Sequence, residues 1–349
     1  MAKTLKITYL FESTTLWGGN KVALEQAEAL SDEGYHVSIV SKDSGPSWYP
    51  LKLPVITAAT LDADTIPESD IIIGTYWPTV KAAYESKKGL AVHLCQGYEG
   101  GNKELLPQKA AIDEVYSYRI PKLTVSPHLD RLLKERFQAE TYYIGHMLNR
   151  NIFHPLRGRS DEKGLTPFRI LVVGPFEADV KNIVTALKGI SLARKRVKAA
   201  VKLIRVSQFP LSAEEKGILE PDEYHAHVPY PGMGEFYRNA DLLISVSKEA
   251  EGFGLPALEA MGCGVPTILS RISSYSSFDI SRDYALFVEP LDYVSLAESI
   301  VVLFHDRPLR ERLIQRGLAV TEHFTKERVI SRLSSALETI AHRKHLQRA

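Results

Sequence analysis

The sequence predicts an α/β protein built from two Rossmann-like domains, and three observations lead there. Short apolar runs alternate with helical patterns along the chain, the pattern of parallel sheets joined by right-handed crossovers. The series ends near the middle of the chain and starts afresh. Around residues 145–166 periodicity fails: His154-Pro155, Gly158, Gly164 and Pro167 interrupt it, and Arg157, Arg159, Asp161, Glu162 and Lys163 cluster, as in a linker. The length of 349 residues suits about two domains.

The elements follow in order. Residues 7–11 read as a first strand, and Trp17-Gly18-Gly19-Asn20 leads into a helix over 21–31, with Val22, Leu24, Ala27 and Leu30 as its core face. Gly34 ends that helix, and strands are expected at 37–40, 71–73, 91–95, 123–125 and 142–144. The second series runs through 168–173, 200–206, 226–228, 242–246, 267–269 and 286–288. A last helical pattern covers 326–343. The expected division is residues 1–148, a linker over 149–166, a second domain over 167–325 and a terminal helix over 326–349.

Composition narrows the function. Hydrophobic residues make up 44% and charged residues 24%, ample for two cores, and the net charge of +1 argues against nucleic acid as a partner. Cys95 and Cys263 are far apart in apolar contexts and read as buried thiols in a reducing compartment. No signal peptide opens the chain and no apolar stretch is long enough for a membrane span, so a cytoplasmic location is expected. The cluster Arg194-Lys195-Arg196 with Lys198 reads as a solvated helix face or as a peripheral contact with an anionic membrane.

The stretch 251–266 carries the chemistry. The apolar run 242–246 is a buried strand; Gly252-Phe253-Gly254 makes a loop; Pro256 suits the first helical position; Gly262 and Gly264 suit the exit. N–H groups near Leu255 to Leu258 would point out of the helix start, where anions bind. Glu251 in the loop and Glu259 in the first turn could face one ligand, with a diphosphate between a sugar and a ribose.

This segment resembles the Glu-x7-Glu signature of retaining glycosyltransferases of family 4, whose fold is GT-B. The likeness includes Gly252-Phe253-Gly254-Leu255-Pro256 and Ala260-Met261-Gly262-Cys263-Gly264-Val265-Pro266, and Phe153-His154-Pro155 resembles the interdomain segment. The resemblance implies two parallel-sheet domains facing across a cleft and a terminal helix that returns to the N-terminal domain. It implies transfer of a sugar from a nucleotide-diphosphate donor to a hydroxyl of a glycan, a lipid-linked saccharide or a small molecule, with configuration retained and no metal or other cofactor. It puts Glu251 beside the donor sugar and Glu259 on the ribose, and makes Gly252, Phe253, Gly254 and Leu255 donor-binding. Gly18-Gly19 occupies the place where that family brings backbone close to donor phosphate or acceptor. Val228 falls where backbone meets the base.

Lys181 matches the family's diphosphate-binding lysine, but Pro175 and Phe176 stand where an arginine is usual; Arg205 could supply that charge or lie on the surface. Gln96-Gly97 stands in place of a His-Gly or His-Asp pair, and glutamine cannot act as a base. His93 reads as a core residue, and Glu99 as an acceptor-side group or a solvated carboxylate. Asp62-Ala63-Asp64 has metal-binding spacing in a polar loop, and His225 and His227 would share a strand face without a third ligand; neither makes a metal site. A sugar-nucleotide epimerase or hydrolase, or a non-catalytic sugar-nucleotide-binding subunit, would fit the same fold.

Overall fold

The computed structural model describes residues 5–156, 167–197 and 200–348. The chain divides into two compact units, residues 1–147 with 326–349, and residues 148–325. Most of the expected linker, residues 157–166, lies outside the described residues, as does Lys198 of the basic cluster.

The first unit runs β1 (Lys6–Phe11), α1 (Gly18–Asp32), β2 (His36–Ser41), β3 (Val55–Thr57), β4 (Ile71–Gly74), α2 (Trp77–Ser86), β5 (Leu90–Cys95), α3 (Lys109–Tyr116), β6 (Lys122–Thr124), α4 (Pro127–Phe137) and β7 (Thr141–Tyr143). Its seven strands are all parallel, in the order β3-β2-β1-β4-β5-β6-β7. Leu10, Val40, Ile72 and Ala91 from the strands bury against Val80 and Ala83 of α2 and Val115 of α3.

The second unit runs β8 (Phe168–Val173), α5 (Ile183–Arg196), β9 (Val201–Ser207), α6 (Ala213–Ile218), β10 (Glu223–Ala226), α7 (Met233–Arg238), β11 (Leu242–Ser245), α8 (Leu255–Gly262), β12 (Thr267–Ser270), β13 (Leu286–Val288), α9 (Tyr293–His305) and α10 (Arg307–Thr321). Its sheet is again wholly parallel, in the order β10-β9-β8-β11-β12-β13. Phe168, Ile170 and Val172 of β8 pack on Ile183, Leu187 and Ile190 of α5, with Leu296, Ile300 and Leu303 of α9 completing the layer. Phe153 is buried in this unit against Tyr230 and Tyr237. The last helix, α11 (Lys326–Arg348), belongs to the first unit, where Glu338 accepts from Tyr35 and Lys326 pairs with Asp32.

The fold class is the one the sequence predicts, two parallel-sheet Rossmann-like domains. Several boundaries differ. Strand β3 is added; it is three residues long, follows Pro54 and leaves Ile56 exposed at the sheet edge, so it carries little apolar pattern. Helix α1 starts at Gly18 rather than 21, with Trp17 as its N-cap. Helix α2 takes in Trp77 and Pro78, and the Thr79 hydroxyl accepts from the Tyr76 N–H at 3.0 Å. Strand β10 ends at Ala226, and His227 adopts a left-handed φ of 54°, so the two histidines do not share a strand face.

In both sheets the order of strands reverses beside the first strand of the unit, between β1 and β4 and between β8 and β11. Such a reversal opens a crevice at the carboxyl ends of the two strands, where open α/β sheets bind ligands.

His93 is a core residue, fully buried in β5 with its ring edge-on to Tyr116 at 4.8 Å between centroids. Burial, and secondarily the Lys122 charge, push it down to about 3. The unfolded chain takes up this proton near pH 6.5 and the folded chain only near 3, so the histidine's contribution to stability is lost as pH falls through that window. Each such group gives a slope of up to about 1.4 kcal/mol per pH unit. In His93→Leu, urea denaturation between pH 6 and 4 is expected to show a shallower loss of stability with falling pH than wild type.

Candidate functional site

The crevice of the second unit is built from the segments that follow β8 and β11. After β8, Gly174 turns the chain at φ 126°, a conformation that suits glycine, and a Cβ there would lie 3.4 Å from the aliphatic stem of Lys181. A short turn over Asp179–Lys181 precedes α5. Side chains and backbone stitch this segment to the one after β11. Asn182 Nδ2 donates to the Val246 carbonyl at 2.9 Å, Lys248 N–H donates to the Val180 carbonyl at 2.8 Å, and Lys248 Nζ pairs with Asp179 at 2.6 Å.

Across that seam Lys181 Nζ reaches Glu251 Oε2 at 2.7 Å. The same oxygen accepts from Ser247 Oγ at 2.8 Å. Among the described residues, Glu251 Oε1 takes no hydrogen bond. Glu251 is buried and Lys181 half-buried, so the pair lies under the rim of the crevice with one carboxylate oxygen held and one unclaimed.

Past Glu251 the chain passes through Gly252 and Phe253 to Gly254, the N-cap of α8, at φ 95° and ψ 56°. A Cβ at Gly254 would also lie 2.0 Å from Tyr275 Cε1. Phe253 turns away from any ligand into an aromatic cluster with Phe278 and Phe324, so only its backbone is available to a donor. Leu255 is the first helical residue, which places Pro256 second rather than first; no side chain caps the helix start and no acid occupies its first turn. The exit is made by Gly264, left-handed at φ 71°, while Gly262 is still helical.

Glu259 lies one position deeper than the sequence suggests, just past the first turn, because α8 starts at Leu255. It is buried, and Oε2 accepts from the Tyr237 hydroxyl at 2.7 Å. Val228 is half-buried in the turn after β10, just past His227, at the same sheet edge as the Lys181 turn.

Arg205 does not supply the missing cation. It is fully buried, with Nε 2.6 Å from Glu215 Oε1 and its other nitrogens on the carbonyls of Val172 at 2.8 Å and Gly174 at 2.9 Å. Its guanidinium holds the Gly174 turn from beneath and is spent there.

In the first unit, Gly18 and Gly19 begin α1 at the carboxyl end of β1, and Gln96 Nε2 donates to the Gly19 carbonyl at 3.0 Å. The Gly97 carbonyl accepts from the Tyr116 hydroxyl at 2.7 Å. The same hydroxyl, with one proton to share between the two, also lies against Glu99, whose carboxyl group burial pushes up to about 7. Glu99 is therefore not a solvated loop carboxylate.

Asp62 closes its own turn, accepting from the N–H groups of Asp64 and Thr65. Among the described residues no group of three or more histidine, cysteine or acidic side chains gathers as a metal site. Arg194 and Arg196 of the basic cluster are ion-paired with Asp222 and Glu298. Sequence reasoning missed Ser247, Asn182 and Tyr275. Ser245 and Ser247 alternate where the apolar run ends, a period that puts both on one face; nothing in the sequence ties Tyr275 to them.

Residues 159–320 match the family model for glycosyl transferases group 1, so the second unit carries a domain of that kind. Over 117 residues the chain is 32% identical to O-antigen chain mannosyltransferase B of Escherichia coli, covering 34% of this chain and 30% of that one. Over 137 residues it is 25% identical to phosphatidyl-myo-inositol mannosyltransferase of Mycobacterium leprae (strain TN), covering 39% and 37%. These matches span about a third of each relative's length. Among solved structures, sucrose-phosphate synthase from Thermosynechococcus elongatus is similar with a TM-score of 0.75 at 17% identity, over 99% of this chain and 100% of that one. Anabaena HepE in complex with UDP-glucose is similar with a TM-score of 0.76 at 13% identity, over 96% and 100%. The fold is thus that of GT-B glycosyltransferases.

Gly254→Ala combines a left-handed backbone with a side-chain collision. A loss of at least about 2 kcal/mol of stability is expected from chemical denaturation, whereas Gly252→Ala, whose φ is not left-handed, should lose less.

Proposed function

We propose that the chain is a glycosyltransferase that moves a sugar from a nucleotide-diphosphate donor to a hydroxyl acceptor. The observation that carries this reading is the Lys181–Glu251 pair at the carboxyl ends of β8 and β11, beside the uncapped start of α8. A cation and a helix N-terminus on one crevice suit a diphosphate. A carboxylate with one oxygen held and one unclaimed suits the sugar attached to it. The group 1 glycosyltransferase domain and the mannosyltransferase relatives support the same class.

In the proposed reaction the bond from the anomeric carbon to the diphosphate oxygen breaks as the acceptor oxygen bonds to that carbon on the same face. The acceptor's proton passes to the departing phosphate oxygen, and a nucleoside diphosphate leaves. Configuration is retained. Lys181 and the N–H groups opening α8 stabilise the charge that grows on the leaving group, which takes the place of a metal ion in this scheme. Glu251 orients the sugar and favours its developing positive charge. Glu259 takes the ribose hydroxyls, Val228 offers backbone to the base, and Gly252, Gly254 and Leu255 line the diphosphate. Gly18 and Gly19 are assigned to the donor, and Gln96, Gly97 and Glu99 to the acceptor side. The names of the relatives support a saccharide or a lipid-linked acceptor. No helix among the described residues is long and apolar enough to cross a membrane, and such an acceptor would be met by peripheral contact.

A thermal-shift screen of UDP, GDP, dTDP, ADP and their sugars tests the site. A ligand at about a hundred times its Kd adds roughly 2.7 kcal/mol, so one nucleotide should raise the wild-type melting point by several degrees and Glu259→Ala less. The matching donor, given a saccharide or polyprenol-linked acceptor in EDTA, should yield a product of unchanged anomeric configuration by NMR. Absence of any nucleotide effect contradicts the reading. An inverted product, or full dependence on a divalent cation, contradicts the mechanism.

A further inference from the structure

Below the Lys181–Glu251 pair lies a chain of hydroxyl groups. Tyr275, in the turn that follows β12, is fully buried. Its hydroxyl donates to Ser247 Oγ at 3.0 Å, and Ser247 Oγ donates to Glu251 Oε2 at 2.8 Å. Ser245 Oγ is 2.6 Å from the Tyr275 hydroxyl, and since tyrosine's one proton goes to Ser247, Ser245 is the donor there. Every proton in the chain points toward Glu251. Burial, and then the charge of Glu251, raise Tyr275 well above its usual range, so it remains a donor at any working pH. A chain of aligned donors polarises each successive bond toward the carboxylate.

Tyr275 is fixed on every side. Its carbonyl accepts from the Tyr284 hydroxyl, and the backbone it supports is anchored again where Ser270 Oγ donates to the Ser247 carbonyl at 2.5 Å. Its ring fills the space a side chain at Gly254 would need. One residue therefore touches both halves of the crevice floor: the turn that opens α8, through its ring, and Glu251, through its hydroxyl and Ser247.

We infer that Tyr275 is a positioning residue for sugar transfer, setting the orientation of Glu251 through Ser247 while its ring shapes the Gly254 turn. The inference rests on the glycosyltransferase reading, and the two parts of the side chain separate its roles. Tyr275→Phe keeps the ring against Gly254 and removes only the hydroxyl. Ser247→Ala removes the direct donor to Glu251.

The test uses the full chain with UDP-glucose and GDP-mannose as donors, following release of UDP or GDP. Tyr275→Phe and Ser247→Ala should each lower kcat about tenfold, with KM for the donor and calorimetric affinity for UDP or GDP within about twofold. Because both act through one carboxylate oxygen, the double variant should be no slower than the slower single variant. Thr321→Val, which removes a buried hydroxyl of the same unit that donates to the Leu318 carbonyl and bonds no member of the chain to Glu251, should lower the melting point and leave kcat unchanged. In protein carrying carboxyl-labelled glutamate, with Glu251→Gln identifying the signal, the Glu251 carboxyl resonance should move in Tyr275→Phe and Ser247→Ala but not in Thr321→Val. A resonance that stays put, or a kcat loss shared equally by Thr321→Val, overturns the inference. A resonance that moves in a protein that turns over no UDP, GDP, dTDP or ADP sugar upholds the hydroxyl chain and overturns the transferase reading instead.

Discussion

The ion pair between Lys181 and Glu251 is the contact on which the crevice depends. The two residues are 70 positions apart and meet because β8 and β11 are neighbours in the sheet, on either side of the strand-order reversal. A half-buried pair of this kind gains little stability for its own sake. Its value is geometric. The lysine stem lies on Gly174, the Gly174 carbonyl lies on buried Arg205, and the carboxylate lies on Ser247. Lys181 carries three donors and needs one for Glu251, so the cation is already aimed and only partly used, as the proposed binding of a diphosphate requires.

Arg205 shows how burial decides a residue's role. In sequence it stands at the end of a strand next to the crevice, where a free guanidinium would reach a phosphate. In the structure Glu215 and three carbonyls take it up, and it serves as a brace beneath the turn that holds Lys181. In the proposed reaction the diphosphate therefore relies on Lys181 and the start of α8. That start is bare of side-chain caps and acids; Pro256 has no N–H and Ala257 donates to the Gly254 carbonyl at 3.0 Å, so it is the Leu255 N–H and the helix's partial positive charge that face outward.

Much of this was legible in the sequence, because parallel strands buried on both faces write themselves as apolar runs. Both sheets could be read that way; the loop of glycines before α8 and its two glutamates were read from their own spacing, and Lys181 from the family resemblance. Less legible were features set by a single residue. The short edge strand β3 has almost no pattern, and the left-handed turn at His227 moved β10 back to 223–226. The side chains beneath Glu251 were illegible for another reason. Tyr275 lies 24 residues beyond Glu251, and only the pairing of β11 with β12 brings its hydroxyl under Ser247. Glu99 reads in sequence as a loop carboxylate among glycines. It is the ring of Tyr116, arriving from α3, that covers it.

The most direct measurement compares calorimetric affinities for nucleoside diphosphates and monophosphates, of uridine and of guanosine, in wild type and Lys181→Met. If Lys181 holds the donor diphosphate, the substitution weakens diphosphate binding by about tenfold or more, equivalent to about 1.4 kcal/mol, and leaves monophosphate binding unchanged. Equal loss for both ligands, or no loss for either, would contradict the placement of the diphosphate between Lys181 and α8.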